Sequence, residues 1–180
     1  AYTLLHAASQ TAADAELSAA LSAVAREQGE LPLQHQASQA ALRRLLVSQP
    51  VSFAWAVDHK GQVLSRIGQD ESEYRDAVDG LPVIEAALRG YRQDDLWLVH
   101  DTLYRVAAVP VVAPTHDRYI GAVLLGNAMG SEVMAELSQL AGVQSVFIGG
   151  GRFLSAASSP LLSAVEAQQV RADTLLGLRD

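Results

Sequence analysis

Cysteine is absent from this 180-residue chain, which excludes a disulfide framework, a thiolate zinc site and a thiol nucleophile. The absence leaves the compartment open, because proteins on either side of a membrane manage without cysteine. Long apolar runs are missing too. Nothing approaches the roughly 18 to 20 apolar residues that span a bilayer, and the richest run, Val106 to Pro114, is short and holds two prolines. Positive charge is in deficit: 13 Lys and Arg face 20 Asp and Glu, for a net charge of −7. A phosphate-backbone binder concentrates cations on one face, so nucleic acid is not an expected partner. The start, Ala1-Tyr2-Thr3, has neither an initiator Met nor a charged segment leading into an apolar one, and reads as a mature or excised piece.

Motifs that do chemistry at fixed spacing are also lacking. There is no Gly-x-Ser-x-Gly elbow, no phosphate-binding Gly-x-x-x-x-Gly-Lys loop and no Gly-x-Gly-x-x-Gly, and Gly149-Gly150-Gly151 reads as a hairpin turn. The histidines His6, His35, His59, His100 and His116 are scattered, with no pair three or four apart to seat zinc. Asp94, Asp95 and Asp101 lack the alternating ladder of a calcium loop and read as solvated strand ends. No enzymatic activity, metal or cofactor is expected. What is present is globular composition, 49% hydrophobic and 18% charged with 13 Gly and 6 Pro, enough for one domain, or one and part of another, burying roughly two-thirds of its unfolded surface.

Periodicity orders the chain. Leu4, Ala8, Ala15, Leu17, Ala20, Leu21 and Val24 predict one long amphipathic helix from Thr3 to Gln28 that stops at Gly29. After Gly29-Glu30-Leu31-Pro32, Ala37, Ala41, Leu42, Leu45 and Leu46 predict a second helix over Gln34 to Ser48. Alternation at Val51, Phe53, Trp55 and Val57, the turn Asp58-His59-Lys60-Gly61, and Val63 to Ile67 then predict a β-hairpin. Polar residues follow from Gln69 to Asp79, with Tyr74 and Val78 at helical spacing, and Leu81-Pro82 opens a short helix ending at Gly90. Leu96 to Val99, Leu103 to Ala113 and Tyr119 to Ala128 read as three strands. Beyond them, a helix from Ser131 to Gly142, a hairpin over Val143 to Ala156 and a helix from Pro160 begin a second cycle. Gly61 to Ser65 and Gly151 to Ser155 repeat weakly at an offset of 90 residues. The expected class is α+β, with residues 1–50 helical, 51–129 a sheet-based module, and 130–180 a partial second α/β unit or extension.

The side chains suited to a ligand gather around the three strands. Tyr104, Val106 and Ala108 share one face of their strand, and Leu103, Arg105, Ala107 and Val109 the other. A guanidinium in that apolar company must reach solvent or find an anion. Arg105 is therefore the leading cation, with an exposed edge position or a salt bridge to Asp94 or Asp101 as the equal alternative. Tyr74, Arg75, Tyr91, Arg92, Trp97 and His100 are the other candidates, from the connector and the first of the three strands. Each has a plainer reading: Trp97, Tyr74 and Tyr91 as packing aromatics, Arg75 and Arg92 as solvated cations, His100 as part of a turn.

The hairpin Phe53-Ala54-Trp55-Ala56-Val57-Asp58-His59-Lys60-Gly61-Gln62-Val63-Leu64-Ser65 resembles the opening of extracytoplasmic Cache sensor domains, the PAS-like modules of bacterial chemoreceptors and sensor kinases. Leu81 to Gly90, Leu103 to Val111 and Ile120 to Gly126 resemble its short helix, central strand and last strand, and the second hairpin resembles a double Cache arrangement. The resemblance implies a PAS-like antiparallel sheet behind long N-terminal helices, and a small molecule bound between sheet and connector. It also implies a periplasmic receptor piece whose membrane helices lie outside this chain, with no chemistry done. The aromatic-Arg-aromatic signature of amino-acid receptors is not recognisable here. A small carboxylate held by arginine and a tyrosine hydroxyl suits the side chains better, with Tyr104, Arg105, Trp97, Tyr74, Arg75 and His100 as its expected contacts. A homodimer through the leucine stripe of Thr3 to Gln28 stands beside the alternative that the stripe faces the domain's own sheet. The competing class is a cytosolic PAS- or GAF-like interaction module that binds no ligand.

Overall fold

The computed structural model describes residues 2–47, 51–68, 76–99, 102–114, 118–130, 139, 146–149 and 152–156. Three helices come first, α1 (Tyr2–Ala12), α2 (Ala15–Ala25) and α3 (Leu31–Leu46). The strands β1 (Phe53–Asp58) and β2 (Val63–Ile67), the short helix α4 (Pro82–Leu88), and the strands β3 (Gln93–Val99), β4 (Thr102–Val112) and β5 (Tyr119–Ala128) follow, and then a separate hairpin of β6 (Val146–Gly149) and β7 (Arg152–Ala156). The first five strands form one antiparallel sheet in the order β2-β1-β5-β4-β3.

The expected single helix over Thr3 to Gln28 is two helices. Asp14 takes an extended conformation and its Oδ1 accepts from the Glu16 and Leu17 amides at 3.1 and 3.0 Å, capping α2. Arg44 of α3 reaches the same point, 2.5 Å from Asp14 and 2.9 Å from Glu16. The alanine-rich filling favours helix throughout and hides this break. At the other end the left-handed closing residue is Glu27 at φ 54°, with the Gln28 amide donating to Ala23 O at 2.9 Å, ahead of the expected stop at Gly29. Helix α3 begins earlier than its periodicity suggests, because Pro32 sits in the first turn, where a missing amide costs nothing.

Contacts divide the chain into two compact units, Ala1–Leu96 with Arg105–Asn127, and Trp97–Tyr104 with Ala128–Asp180. In the first, Ala8, Leu17, Leu21, Ala41 and Leu42 from the helices bury against Ala54, Ala56, Ala107, Val109, Val123 and Leu125 on one face of the sheet. Three of the strand residues in this layer, Ala54, Ala56 and Ala107, are alanines, and Gly121 has no side chain at all: a Cβ there would meet the Val57 carbonyl and press on Leu21 Cδ2 at 3.2 Å. Polar ties set α3 on β2. The Ser38 and Ser65 hydroxyls meet at 2.5 Å, and His35 Nδ1 donates to Leu64 O at 2.7 Å.

In the second unit β6 pairs antiparallel with β7, from Val146 opposite Ala156 to Gly149 opposite Arg152, and the Met129 amide donates to Leu103 O at 2.8 Å. The helices expected from Ser131 and from Pro160 fall outside the described residues, apart from Gln139, which is helical.

Candidate functional site

The two faces of the sheet are sorted by a bulge in the first hairpin. Ala54 pairs with Ile67, Trp55 with Arg66 and Ala56 with Ser65, but Val57 pairs with Val63, so Leu64 is the extra residue. Leu64 and Ser65 both turn toward the helices, and Arg66 turns to the opposite face beside Trp55. Without the bulge, strict alternation from Val63 would send Arg66 into the helix-covered layer, where an unpaired guanidinium is prohibitively costly.

On that opposite face Phe53, Trp55 and Arg66 form a row. The Phe53 and Trp55 rings stand 5.6 Å apart, tilted by 40°, and the Arg66 guanidinium lies 4.6 Å from the centre of the Trp55 ring. Gly126 is opposite Phe53 in β5, and a Cβ there would overlap the Phe53 ring. The row is flanked by fully buried Val57, Val106, Ala108, Ala122 and Leu124, whereas Trp55 itself is only half-buried. Arg66 is buried to 9% side-chain exposure and bridges to Asp76 at 2.9 Å, while Asp76 keeps 48% of its side chain in solvent.

Asp76 brings the connector to this face. Asp76 O accepts from the Val63 amide at 2.9 Å and the Val78 amide donates to Gly61 O at 2.8 Å, around a bridge between Gln62 and Ala77. The segment thus adds a short strand-like piece to the free edge of β2, where helical spacing had been expected. Helix α4 follows, buried through Val83, Ile84 and Ala87, with Gly90 at its end against the Tyr119 ring.

The residues expected to hold a ligand are distributed unevenly. Tyr74, Arg75 and His100 lie outside the described residues. Arg105 pairs with Asp94 at 2.9 Å, the two side chains 31% and 39% exposed, which is one of the two ion pairs foreseen for it. Strand alternation places Arg105 with Ala107 and Val109, on the helix side, and Tyr104 with Val106 and Ala108 on the other. Tyr104 is buried and Trp97 half-buried, both in the second unit, while Tyr91 and Arg92 are exposed. Arg66, Trp55 and Asp76 were not singled out from the sequence. A concavity of about 270 Å³ opens between the α2–α3 link and the β1–β2 turn, lined by Val24, Glu27, Gln34, Asp58, Lys60 and Gln62. Its charges are internally satisfied: Lys60 pairs with Glu27 at 3.3 Å, and Asp58 accepts from the Lys60 and Gln62 amides at 2.8 and 2.9 Å. Among the described residues no group of three or more metal-ligating side chains occurs, and no helix is long and apolar enough to cross a membrane.

No family model and no curated protein sequence matches the chain. Solved structures do. The sensor domain of the V. cholerae histidine kinase DctB superposes with a TM-score of 0.63 at 12% identity, over 91% of this chain and 66% of that one. The E. coli DcuS sensor domain gives 0.52 at 17% identity, over 79% and 94%. The sensory domain of the Campylobacter jejuni chemoreceptor Tlp3, solved with isoleucine bound, gives 0.51 at 13% identity, over 92% and 78%. The chain thus shares the fold of these domains, a PAS-like Cache fold with an α+β architecture of helices on an antiparallel five-stranded sheet.

Proposed function

We propose that this chain is the small-molecule-binding sensor of a transmembrane signalling receptor, a chemotaxis receptor or a sensor kinase, working on the outer side of the cytoplasmic membrane. The observation that carries the reading is the face opposite the helices. It presents a half-buried tryptophan and a buried cation beneath a covering segment, in a fold shared with sensor domains of kinases and chemoreceptors. A ligand between sheet and segment acts by favouring one position of that cover over another, which is the only way binding at one place can be felt at another. A carboxylate is the fitting handle, because a guanidinium fork matches its two oxygens.

Tyr104, Trp97, Tyr74, Arg75 and His100 are the proposed further contacts. Arg105, the remaining expected contact, is paired with Asp94 on the helix side of β4, so Arg105→Ala is the discriminating variant: lost binding would put the site at β4, and unchanged binding would put it elsewhere. The second reading is a closed PAS- or GAF-like interaction module. It is favoured by Val57, Val106, Ala108 and Leu124, which the protein's own atoms bury completely. A thermal-shift screen with small carboxylates and other metabolites separates the two. A concentration-dependent rise in melting temperature supports the sensor, and no response to any compound overturns it.

A further inference from the structure

We propose that Arg66 is the anion-reading point of this domain and that Asp76 occupies it until a ligand carboxylate takes its place, an inference that rests on the sensor reading above. The Arg66–Asp76 ion pair is asymmetric. Arg66 has 9% of its side chain exposed and Asp76 has 48%. A buried guanidinium is stabilised by an anion at its fork, because charge in an apolar layer is costly in proportion to how poorly it is compensated. A half-exposed aspartate depends less on its partner, because swinging outward returns it to water. Exchanging Asp76 for an incoming carboxylate therefore preserves charge pairing inside the fold, and the aspartate recovers hydration.

The surroundings suit the exchange. Trp55 lies 4.6 Å from the guanidinium and presents a flat partner, which holds the fork in one plane as its oxygen partners change. The Asp76 backbone is tied independently of its side chain, through the Val63 amide at 2.9 Å and the neighbouring bridge of Ala77 to Gln62. The carboxylate can leave without unpairing this segment from β2. The device reads small carboxylates and rejects their amides, which cannot replace the charge that Asp76 withdraws.

The test is calorimetric titration of the folded 180-residue domain with acetate, lactate and glutarate, each beside its amide, on the wild type and on Asp76→Asn, Arg66→Lys and Arg66→Gln. Thermal melts check folding, and Asp76→Asn alone decides the matter should the Arg66 variants unfold. Freed from its internal competitor, Asp76→Asn is expected to bind at least one carboxylate about tenfold more tightly than wild type. Arg66→Lys, which keeps the charge and loses the fork, should bind it about tenfold more weakly, and Arg66→Gln weaker still. Equal or weaker binding by Asp76→Asn overturns the proposal, as do carboxylate affinities indifferent to Arg66 and amides that bind as well as acids. If other metabolites stabilise the protein and no carboxylate binds, this inference falls and the sensor reading survives. If nothing binds, both fall.

Discussion

The two faces of the sheet make opposite use of the same strands. On the helix side β1, β4 and β5 contribute Ala54, Ala56, Ala107 and Gly121, and α2 and α3 fill the shallow surface with Leu17, Leu21 and Leu42, all fully buried. Two of the polar groups admitted there, Ser38 and Ser65, satisfy one another. On the other side the same β1 offers Phe53 and Trp55, β2 offers a cation, and the cover is a connector tied at its edge by backbone hydrogen bonds. A layer closed by long helices is suited to stability, and one closed by a short segment is suited to change, because fewer apolar contacts must be broken to open it.

That contrast can be attacked mutation by mutation. Leu42→Ala, in the centre of the helix layer, should destabilise by about 3 kcal/mol in denaturant unfolding and leave the affinity for any ligand unchanged; a large affinity change would show that the layers are not separable. Ser38→Ala leaves the buried Ser65 hydroxyl without its partner and should cost about 2 kcal/mol. The double variant with Ser65→Ala should recover part of that loss, and strict additivity of the two would refute mutual satisfaction. Asp14→Ala removes the cap of α2 together with the Arg44 pair and should cost about 1 kcal/mol, read as a fall in melting temperature. Arg105→Ala breaks a half-exposed ion pair and should cost under about 1 kcal/mol; a much larger loss would mean that Arg105 supports the sheet edge in a way its pair with Asp94 does not explain.

The order of elements was legible because it rests on local signals. Alternation marked β1, the Asp58 to Gly61 turn marked the hairpin, and Pro82 and Gly90 bracketed α4. Two features were not legible. The break between α1 and α2 depends on one aspartate whose capping role is completed by Arg44, thirty positions away. In the sequence Arg66 is one more residue of a strand. Counting outward from Val57 opposite Val63 along a regular hairpin would set Trp55 against Ser65, and only the bulge at Leu64 moves Arg66 into that place. Its burial then depends on Asp76, which the connector returns to it from ten positions downstream. Arg105, by contrast, stands out in the sequence because its strand is so apolar, and it pairs with Asp94, one of the two partners expected for it.

The Phe53 ring occupies the space that a side chain at Gly126 would need. That imposes an order on evolutionary change. In any lineage carrying this domain, position 53 must shrink before position 126 can grow, so the pair can drift along only one of its two mutational routes.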